Sequence, residues 1–245
     1  MGILLYALLG LLVGILVNSL ADDLPERRRP TPPHCIQCGH RYRPHNWSGL
    51  VRKLSGRCPA CGVPERWRPP LVEVGMTLVF ALLWFWYGGF SPTLLVTSIY
   101  MAIFALILVT DMEHRLILHV VTFPAIAFAL LASFVTVTPG SALLGAAVGF
   151  ILFFAIYLVG GVVYGAGAMG FGDVTLSTFI GAAVGFPIVM IALLGGILAG
   201  GSITLVLLLT RIRRMSSKIP YGPFLLIGAT ISLLWGERIL AWYLR

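Results

Sequence analysis

Charged residues are scarce in this sequence of 245 residues: they make up 11% of it, while hydrophobic residues make up 58%. A typical soluble domain carries about 25% charged residues. The shortage excludes an ordinary soluble globular protein and predicts a polytopic membrane protein. Acids are especially rare, with only nine Asp and Glu in the chain. Each acid that borders a hydrophobic run is therefore a candidate for function.

Other features that the sequence lacks exclude further classes of protein. The first hydrophobic run, Met1 to Leu20, lacks a basic start and a convincing A-x-A cleavage site, so we interpret it as a retained helix and not as a removed signal peptide. The chain has no glycine-rich dinucleotide fingerprint and no detectable inverted repeat of the kind found in transporters. Only four cysteines occur, all in one loop, and nothing indicates disulfide bonds.

Hydrophobic runs close to the length of a bilayer crossing predict an all-α fold with about eight transmembrane helices. Their approximate bounds are 3–20, 71–87, 92–110, 116–135, 142–162, 174–186, 188–209 and 219–242. Ten of the 17 Lys and Arg lie between residues 27 and 68, and four between residues 211 and 218. The positive-inside rule assigns both stretches to the cytoplasm. Three parts are expected: a first helix (1–20), a cytoplasmic module (21–70) and a membrane core of about seven helices (71–245).

The predicted cytoplasmic module contains two C-x-x-C pairs separated by 19 residues: Cys35, Cys38, Cys58 and Cys61. This spacing is typical of a four-cysteine zinc site, and four sulfur ligands would leave the zinc no open position for catalysis. We therefore expect a structural zinc module. The alternative is that His34, His40 or His45 replaces one cysteine. The basic residues of the loop are expected to face anionic lipid headgroups, and nucleic acid is not an expected partner.

Two aspartates border hydrophobic runs on the predicted cytoplasmic side. Asp111 follows the run 94–110, and Asp173 ends a G-x-G-D sequence that begins at Gly170. Two carboxylates brought together cannot both ionise comfortably, so one can serve as an acid and the other as a base. Gly170 and Gly172 would let a substrate or a neighbouring helix approach the backbone closely. We therefore predict an intramembrane aspartyl protease.

The same acids allow other interpretations. Carboxylates at a membrane edge can simply reach water or pair with Arg115, and Glu113 competes with Asp111 as the partner of Asp173. A transporter or channel could use the acids to relay protons or cations, and it predicts acids nearer the bilayer centre. A zinc-stabilised scaffold without catalysis is a third hypothesis. It predicts that function survives Asp111→Asn and Asp173→Asn.

Several motifs resemble those of the type IV prepilin peptidases, the bacterial leader peptidases of type IV pilins and type II secretion pseudopilins. In order they are Asn18 followed by Leu24-Pro25, the two C-x-x-C pairs, Val72-Glu73, Asp111, the G-x-G-D sequence, and Lys218 to Phe224. Together they cover nearly the whole chain. Two positions depart from the family pattern. Asp23 stands where Arg is usual, and Leu118-His119 stands where Pro-Asn or Pro-Asp is usual.

The resemblance implies that Asp111 and Asp173 are the catalytic pair. It also implies cleavage of a short basic leader, after a glycine, at the cytoplasmic face of the bacterial inner membrane. The new amino terminus would then be N-methylated with S-adenosylmethionine, and Glu73 matches a position associated with that methyltransferase activity. The motifs do not locate the methyl-donor site, and they leave the oligomeric state open.

Overall fold

The computed structural model describes residues 1–26, 29–165, 169–210 and 221–244. Within these ranges the chain forms nine α-helices and no β-strand. The helices are α1 (Gly2–Asp23), α2 (Gly49–Ser55), α3 (Arg68–Tyr87), α4 (Pro92–His114), α5 (His119–Ala132), α6 (Pro139–Tyr164), α7 (Phe171–Val184), α8 (Ile188–Leu209) and α9 (Gly222–Tyr243). The predicted all-α class is confirmed. The basic stretch 211–218 lies outside the described residues.

Eight of these helices are apolar and lie at the eight predicted membrane segments. Five are long and apolar enough to cross a bilayer: α1, α3, α4, α6 and α9. Helices α5 and α7 have 14 residues each, which is about 21 Å and shorter than a hydrocarbon core of about 30 Å. The chain is thus a polytopic membrane protein, and the count of eight spans stays a prediction.

The outer faces of the long helices carry large hydrophobic side chains. Along α1, five leucines are each more than half exposed, among them Leu5, Leu8, Leu12 and Leu16. The spacing of these four, three and four residues, places them on one face of the helix. A continuous apolar face of this kind is unfavourable in water and is covered by lipid tails in a membrane.

The chain forms two compact units, residues 1–109 and 110–245, and α4 runs through the division. In the first unit α1 packs against α3. Gly14 permits this close approach, because a Cβ at this position would lie 2.8 Å from the Cα of Glu73. Tyr6 of α1 also shares a 2.6 Å hydrogen bond with Ser98 of α4. The three-part division expected from the sequence stays a prediction.

Helix α7 is the centre of the second unit and packs against α5, α6, α8 and α9. From Val174 to Val184 all of its residues are buried except Thr178. A helix that is apolar all round is expected to be enclosed by other helices in this way. The first turn of α7, which carries Asp173, is the part that remains accessible.

Helices α6 and α7 meet backbone to backbone. A Cβ at Gly145 would collide with the carbonyl oxygen of Gly181, and a Cβ at Gly181 would collide with that of Gly145. One turn away, the Ser177 hydroxyl donates a 3.0 Å hydrogen bond to the carbonyl of Gly149. Small residues thus bring α6 against the central helix, as Gly-x-x-x-Gly sequences do in membrane proteins.

Two helix boundaries differ from the predicted segments. Helix α1 continues to Asp23, three residues beyond the predicted end at Leu20. Helix α5 begins only at His119, although the hydrophobic run begins at Leu116. Arg115 has a φ of 55° and Leu118 is extended, so the chain turns sharply between α4 and α5. Hydrophobicity does not report such backbone conformations.

Replacing Gly145 by Ala should destabilise the protein, because the new methyl group meets backbone atoms of α7 that cannot move aside. Overpacking of this kind costs about 1–3 kcal/mol. Gly161→Ala on the same helix is the matched control, since a Cβ there meets no atom within 4 Å. Thermal unfolding in detergent should show a lower midpoint for Gly145→Ala alone. Equal midpoints for the two variants would contradict the packing described above.

Candidate active site and cysteine cluster

Asp111 lies in the last turn of α4, which ends at His114. The residue is only 5% exposed although it carries a carboxyl group. The backbone N–H of Gly222, the first residue of α9, lies near this carboxylate. Among the described residues, Oδ2 of Asp111 is buried without a hydrogen-bond partner. The carboxylate therefore lies against the start of α9.

The contact between α4 and α9 is close at a glycine. A Cβ at Gly222 would lie 2.5 Å from Oδ2 of Asp111 and 3.1 Å from its Cγ, so a larger residue would displace this carboxylate. Tyr221, the residue before α9, interacts electrostatically with Asp173. The start of α9 therefore contacts one aspartate and lies near the other.

Asp173 is the third residue of α7 and is partly buried. Its carboxylate lies within the electrostatic field of Asp111. The free N–H groups and the dipole of a helix N-terminus favour a negative charge at this position. The second unit thus brings together the two aspartates that the sequence selects, and their catalytic role stays a prediction.

The two glycines of the G-x-G-D sequence have different surroundings. A Cβ at Gly172 would lie 2.7 Å from the Cβ of Ile117 and 3.2 Å from its carbonyl oxygen. A Cβ at Gly170 would make only an ordinary contact, 3.8 Å from Oδ2 of Asp173. Gly172 therefore allows the first turn of α7 to pack on the connection between α4 and α5. The close packing is therefore on a connecting segment, and the expected approach of a substrate or a neighbouring helix stays a prediction.

His119, one of the departures from the family pattern, supports the same turn. Its Nδ1 lies 3.5 Å from the hydroxyl of Thr175, which donates to the carbonyl of Gly172 at 2.9 Å. The Thr122 hydroxyl donates to Thr175 at 3.2 Å, and the His119 ring lies edge-on to that of Phe171. The start of α5 therefore holds the first turn of α7, which carries Asp173.

The cysteines of the first unit lie in two matched turns. In each turn the glycine after the second cysteine donates its N–H to the carbonyl of the first: Gly39 to Cys35 at 2.8 Å, and Gly62 to Cys58 at 2.9 Å. Both glycines have positive φ, 71° and 73°, a conformation that other residues rarely adopt. The sequence of each turn is thus C-x-x-C-G, and this glycine is a signal that cysteine spacing alone misses.

The four sulfur atoms form one cluster in which all lie within 4.8 Å of one another. None forms a disulfide. Burial opposes ionisation of Cys58, but hydrogen bonds from the backbone of Cys61 and Ala60 outweigh it and lower the pKa of this thiol to about 6. Because thiolates are the form that binds metal ions, four sulfurs this close can hold one.

The histidines near the cysteines do not join the cluster. His40 and His45 are exposed. His34 instead shares a 3.1 Å hydrogen bond between its Nδ1 and the hydroxyl of Thr31. The metal-binding group found within the described residues contains the four cysteines alone.

Glu73, on α3, is fully buried and accepts hydrogen bonds from the start of α2. Its Oε1 accepts from the Gly49 N–H at 2.6 Å, and its Oε2 accepts from the Ser48 hydroxyl at 2.6 Å and the Leu50 N–H at 3.2 Å. The first N–H groups of a helix have no partner within the helix, and a carboxylate is favoured there. Glu73 thus caps α2 and fixes this part of the module to α3.

The C-terminal end of α1 holds the module from the other side. Asp23, the second departure from the family pattern, is 0% exposed and accepts from the N–H and hydroxyl of Thr31 at 2.6 and 2.9 Å. Asn18, part of the first motif, donates to the carbonyl of Pro69 at 3.0 Å. Both residues therefore have a structural use in this chain.

Comparisons with known proteins agree with the motifs. The model for the type IV leader peptidase family matches residues 98–205, and that for the bacterial peptidase A24 N-terminal domain matches residues 8–87. A prepilin leader peptidase/N-methyltransferase of Pseudomonas putida is 31% identical over 98% of this chain and 92% of the relative. The chain belongs to the type IV leader peptidase family.

Other relatives carry the same name. One from Pseudomonas aeruginosa is 30% identical over 97% of this chain and 92% of its own length, and one from Aeromonas hydrophila is 33% identical over 78% and 66%. No solved structure matches the chain. The resemblance drawn from the motifs is confirmed, and the chain is an enzyme of this peptidase family with several passes through the inner membrane. The two matched regions contain all the predicted site residues.

Three residues of this leader peptidase were missed by the sequence analysis. Gly222 lies in the motif Lys218 to Phe224, and a Gly-Pro pair at a helix start was the available signal. Ser48 directly precedes α2 and fits the preference for serine at a helix N-cap. Thr175 gave no signal, because a threonine in an apolar helix is common.

Exchanging Glu73 for Gln should loosen α2, because a neutral amide weakens the charge-assisted hydrogen bonds from Gly49 and Leu50. A loss of about 1.5–3 kcal/mol corresponds to at least a roughly tenfold fall in protection of these amides against hydrogen exchange. Thr77→Val is the control one turn along α3, where the Thr77 hydroxyl bonds to the backbone of Glu73. Hydrogen-exchange mass spectrometry should find reduced protection of α2 in Glu73→Gln alone. Unchanged protection would argue against the cap.

Proposed function

We propose that this protein is an intramembrane aspartyl endopeptidase that removes the basic leader from type IV prepilins or type II secretion pseudopilins. The observation that carries the proposal is the position of Asp111 and Asp173. Both residues belong to the second unit and lie at helix ends, within electrostatic range of each other. The names of relatives of similar length support the substrate class.

In this mechanism one aspartate is ionised and the other is protonated. The ionised aspartate takes a proton from water, whose oxygen attacks the scissile carbonyl, while the protonated aspartate donates to the carbonyl oxygen. The carbonyl then re-forms and returns the donated proton as the C–N bond breaks. The leaving amine takes up the proton that came from water. Because such a pair titrates as a unit, neither residue is assigned a fixed role.

The active site is proposed to face the cytoplasm. Support comes from the ten Lys and Arg between residues 27 and 68, which the positive-inside rule keeps on that side. The basic leader of a prepilin stays in the cytoplasm while its apolar segment enters the bilayer. The scissile bond would then lie at the depth of the helix ends that carry the aspartates.

N-methylation of the new amino terminus, with S-adenosylmethionine as methyl donor, is the second proposed activity, and its support is the name of the relatives. Glu73 is proposed to serve this activity indirectly. Its carboxylate is fully buried and accepts three hydrogen bonds from the start of α2. It therefore positions the module and does not contact a substrate.

Zinc is the metal proposed for the cysteine cluster. A tetrahedral zinc with Zn–S distances of about 2.3 Å places its sulfur ligands about 3.8 Å apart. Two pairs match that spacing: Cys35 and Cys61 at 3.8 Å, and Cys38 and Cys58 at 3.9 Å. Four sulfurs close the coordination sphere, so the role is structural. A module this small needs such a connection because it cannot bury a large core.

A proton- or ion-coupled transporter remains the alternative hypothesis, and membership of a peptidase family does not favour it. A transporter would need acids in the middle of its spans. Asp111 and Asp173 lie within four residues of a helix end, where a peptide bond at the membrane edge can reach them.

Asp111→Asn and Asp173→Asn should each abolish cleavage of a prepilin that has a basic leader ending in glycine. Removing one member of an acid–base pair costs about 10²- to 10⁴-fold in rate. Glu113→Gln is the matched control, since it neutralises an acid two residues from Asp111. Cleavage by reconstituted proteins, followed by mass spectrometry, should be lost in the two aspartate variants and kept in Glu113→Gln.

The same experiment separates the hypotheses. Cleavage that survives in both folded aspartate variants would refute the aspartyl mechanism. Loss in Glu113→Gln and not in Asp111→Asn would make Glu113 the partner of Asp173. Failure of the folded wild-type protein to cleave the prepilin would refute the proposed substrate class.

Purified protein should contain one zinc ion per chain by plasma mass spectrometry. Cys58→Ser should lose it, whereas His45→Ala, which removes an exposed histidine of the same module, should keep it.

Removing zinc with a chelator should reduce methyl transfer before it reduces cleavage, because the cysteines and the aspartates belong to different units. Equal loss of both activities would mean that the module also shapes the peptidase site.

A further inference from the structure

Arg52, on α2, is a buried cation that has no anionic partner among the residues that the structure describes. It is 8% exposed, and its guanidinium lies 4.6 Å from the centre of the Tyr42 ring. Its Nε atom is buried without a hydrogen-bond partner, and within the described part of the chain no carboxylate forms an ion pair with it. Burying a charge is costly unless the charge is paired. An arginine cannot relieve this cost by losing its proton.

Arg52 lines a cavity of about 120 Å³ in the cysteine module. The cavity has room for several water-sized groups. Its wall carries charges of both signs, from Asp22, His34, Glu65, Arg66 and Arg68. Arg68 pairs with Asp22 at 2.7 Å, and Glu65 accepts a hydrogen bond from the hydroxyl of Tyr42 at 2.5 Å. Arg52 is therefore a cationic group in the cavity wall with which an anionic ligand could form an ion pair.

Helix α2 is held in place on both sides of Arg52. Glu73 caps its N-terminus, as described above. The next residue, Lys53, donates to the carbonyl of Glu65 at 2.6 Å and lies 4.2 Å from the centre of the Trp67 ring. The Tyr42 hydroxyl is held by its hydrogen bond to Glu65. The position of the guanidinium is thus fixed before any ligand binds.

We propose that this cavity binds the amino-acid end of the methyl donor, with Arg52 pairing its carboxylate. The proposal rests on the methyl-transfer part of the proposed function. A guanidinium binds a carboxylate through two parallel hydrogen bonds. The nearby acid Glu65 suits the positive ammonium and sulfonium groups of S-adenosylmethionine. Phosphate shares the affinity of a carboxylate for arginine, so it is included as a competing ligand in the test.

Equilibrium binding to the full-length protein in detergent tests the proposal. S-adenosylmethionine should bind the wild type, and Arg52→Gln should weaken binding roughly 30-fold or more through loss of a charged, bidentate contact. Arg57→Gln is the matched control, because it removes an exposed arginine of the same module that does not line the cavity. It should leave the Kd unchanged within about twofold.

A second ligand that lacks the carboxylate tests whether Arg52 binds that group. Decarboxylated S-adenosylmethionine should bind the wild type about as weakly as the intact donor binds Arg52→Gln, and Arg52→Gln should not weaken it further. Equal weakening of both ligands by Arg52→Gln would overturn the proposal. So would Arg52-dependent binding of inorganic phosphate, or of phosphatidylglycerol vesicles, without Arg52-dependent binding of the donor.

The outcomes also separate this proposal from the one on which it rests. Wild-type protein that methylates a cleaved pilin, but whose Kd for the donor does not depend on Arg52, overturns only the site. Wild-type protein that neither binds the donor nor methylates overturns the methyl-transfer function and the site together. If Arg52→Gln does not fold, Arg52→Lys and the decarboxylated donor still decide, since the first keeps the positive charge and the second leaves the protein unchanged.

Discussion

Carboxylates cannot lie unpaired against hydrocarbon, and this constraint organises the acids of the apolar helices. Glu73 and Asp23 accept hydrogen bonds from the backbone N–H groups of Gly49 and Thr31, Asp111 lies near the N–H of Gly222, and Asp173 lies in the first turn of α7. A backbone donor carries no full charge. It stabilises a carboxylate less firmly than an arginine would, so an aspartate held this way can still gain and lose a proton, as acid–base catalysis requires.

The features that the sequence predicted are local along the chain. The apolar run before Asp111 predicted a helix, and the structure has one from Pro92 to His114. Apolar composition over about 20 residues is enough to specify a membrane helix. The cysteine cluster followed from the spacing of two pairs, and the two aspartates followed from the scarcity of acids. In each case one stretch of sequence contained the whole signal.

The contacts that build the sites could not be predicted, because they join distant parts of the chain. Gly222 packs against a carboxylate that precedes it by more than a hundred residues. Glu73 caps a helix whose first residue lies 24 positions earlier. A single sequence gives the spacing within each helix and not the pairing of helices. For that reason the sequence linked Glu73 only to a family activity, and the structure shows that its carboxylate caps α2.

Arg52 differs from the acids in one respect that matters for ligand binding. A buried carboxyl or thiol can lower its cost by taking up a proton, and the acids here also have donors close by. A guanidinium has neither option, since it stays charged and needs an acceptor. Its ring contact with Tyr42 offsets part of that cost, about 0.5–2 kcal/mol. The rest can be offset by an anion that enters the cavity, so the energetic imbalance of the free module favours binding of an anionic group.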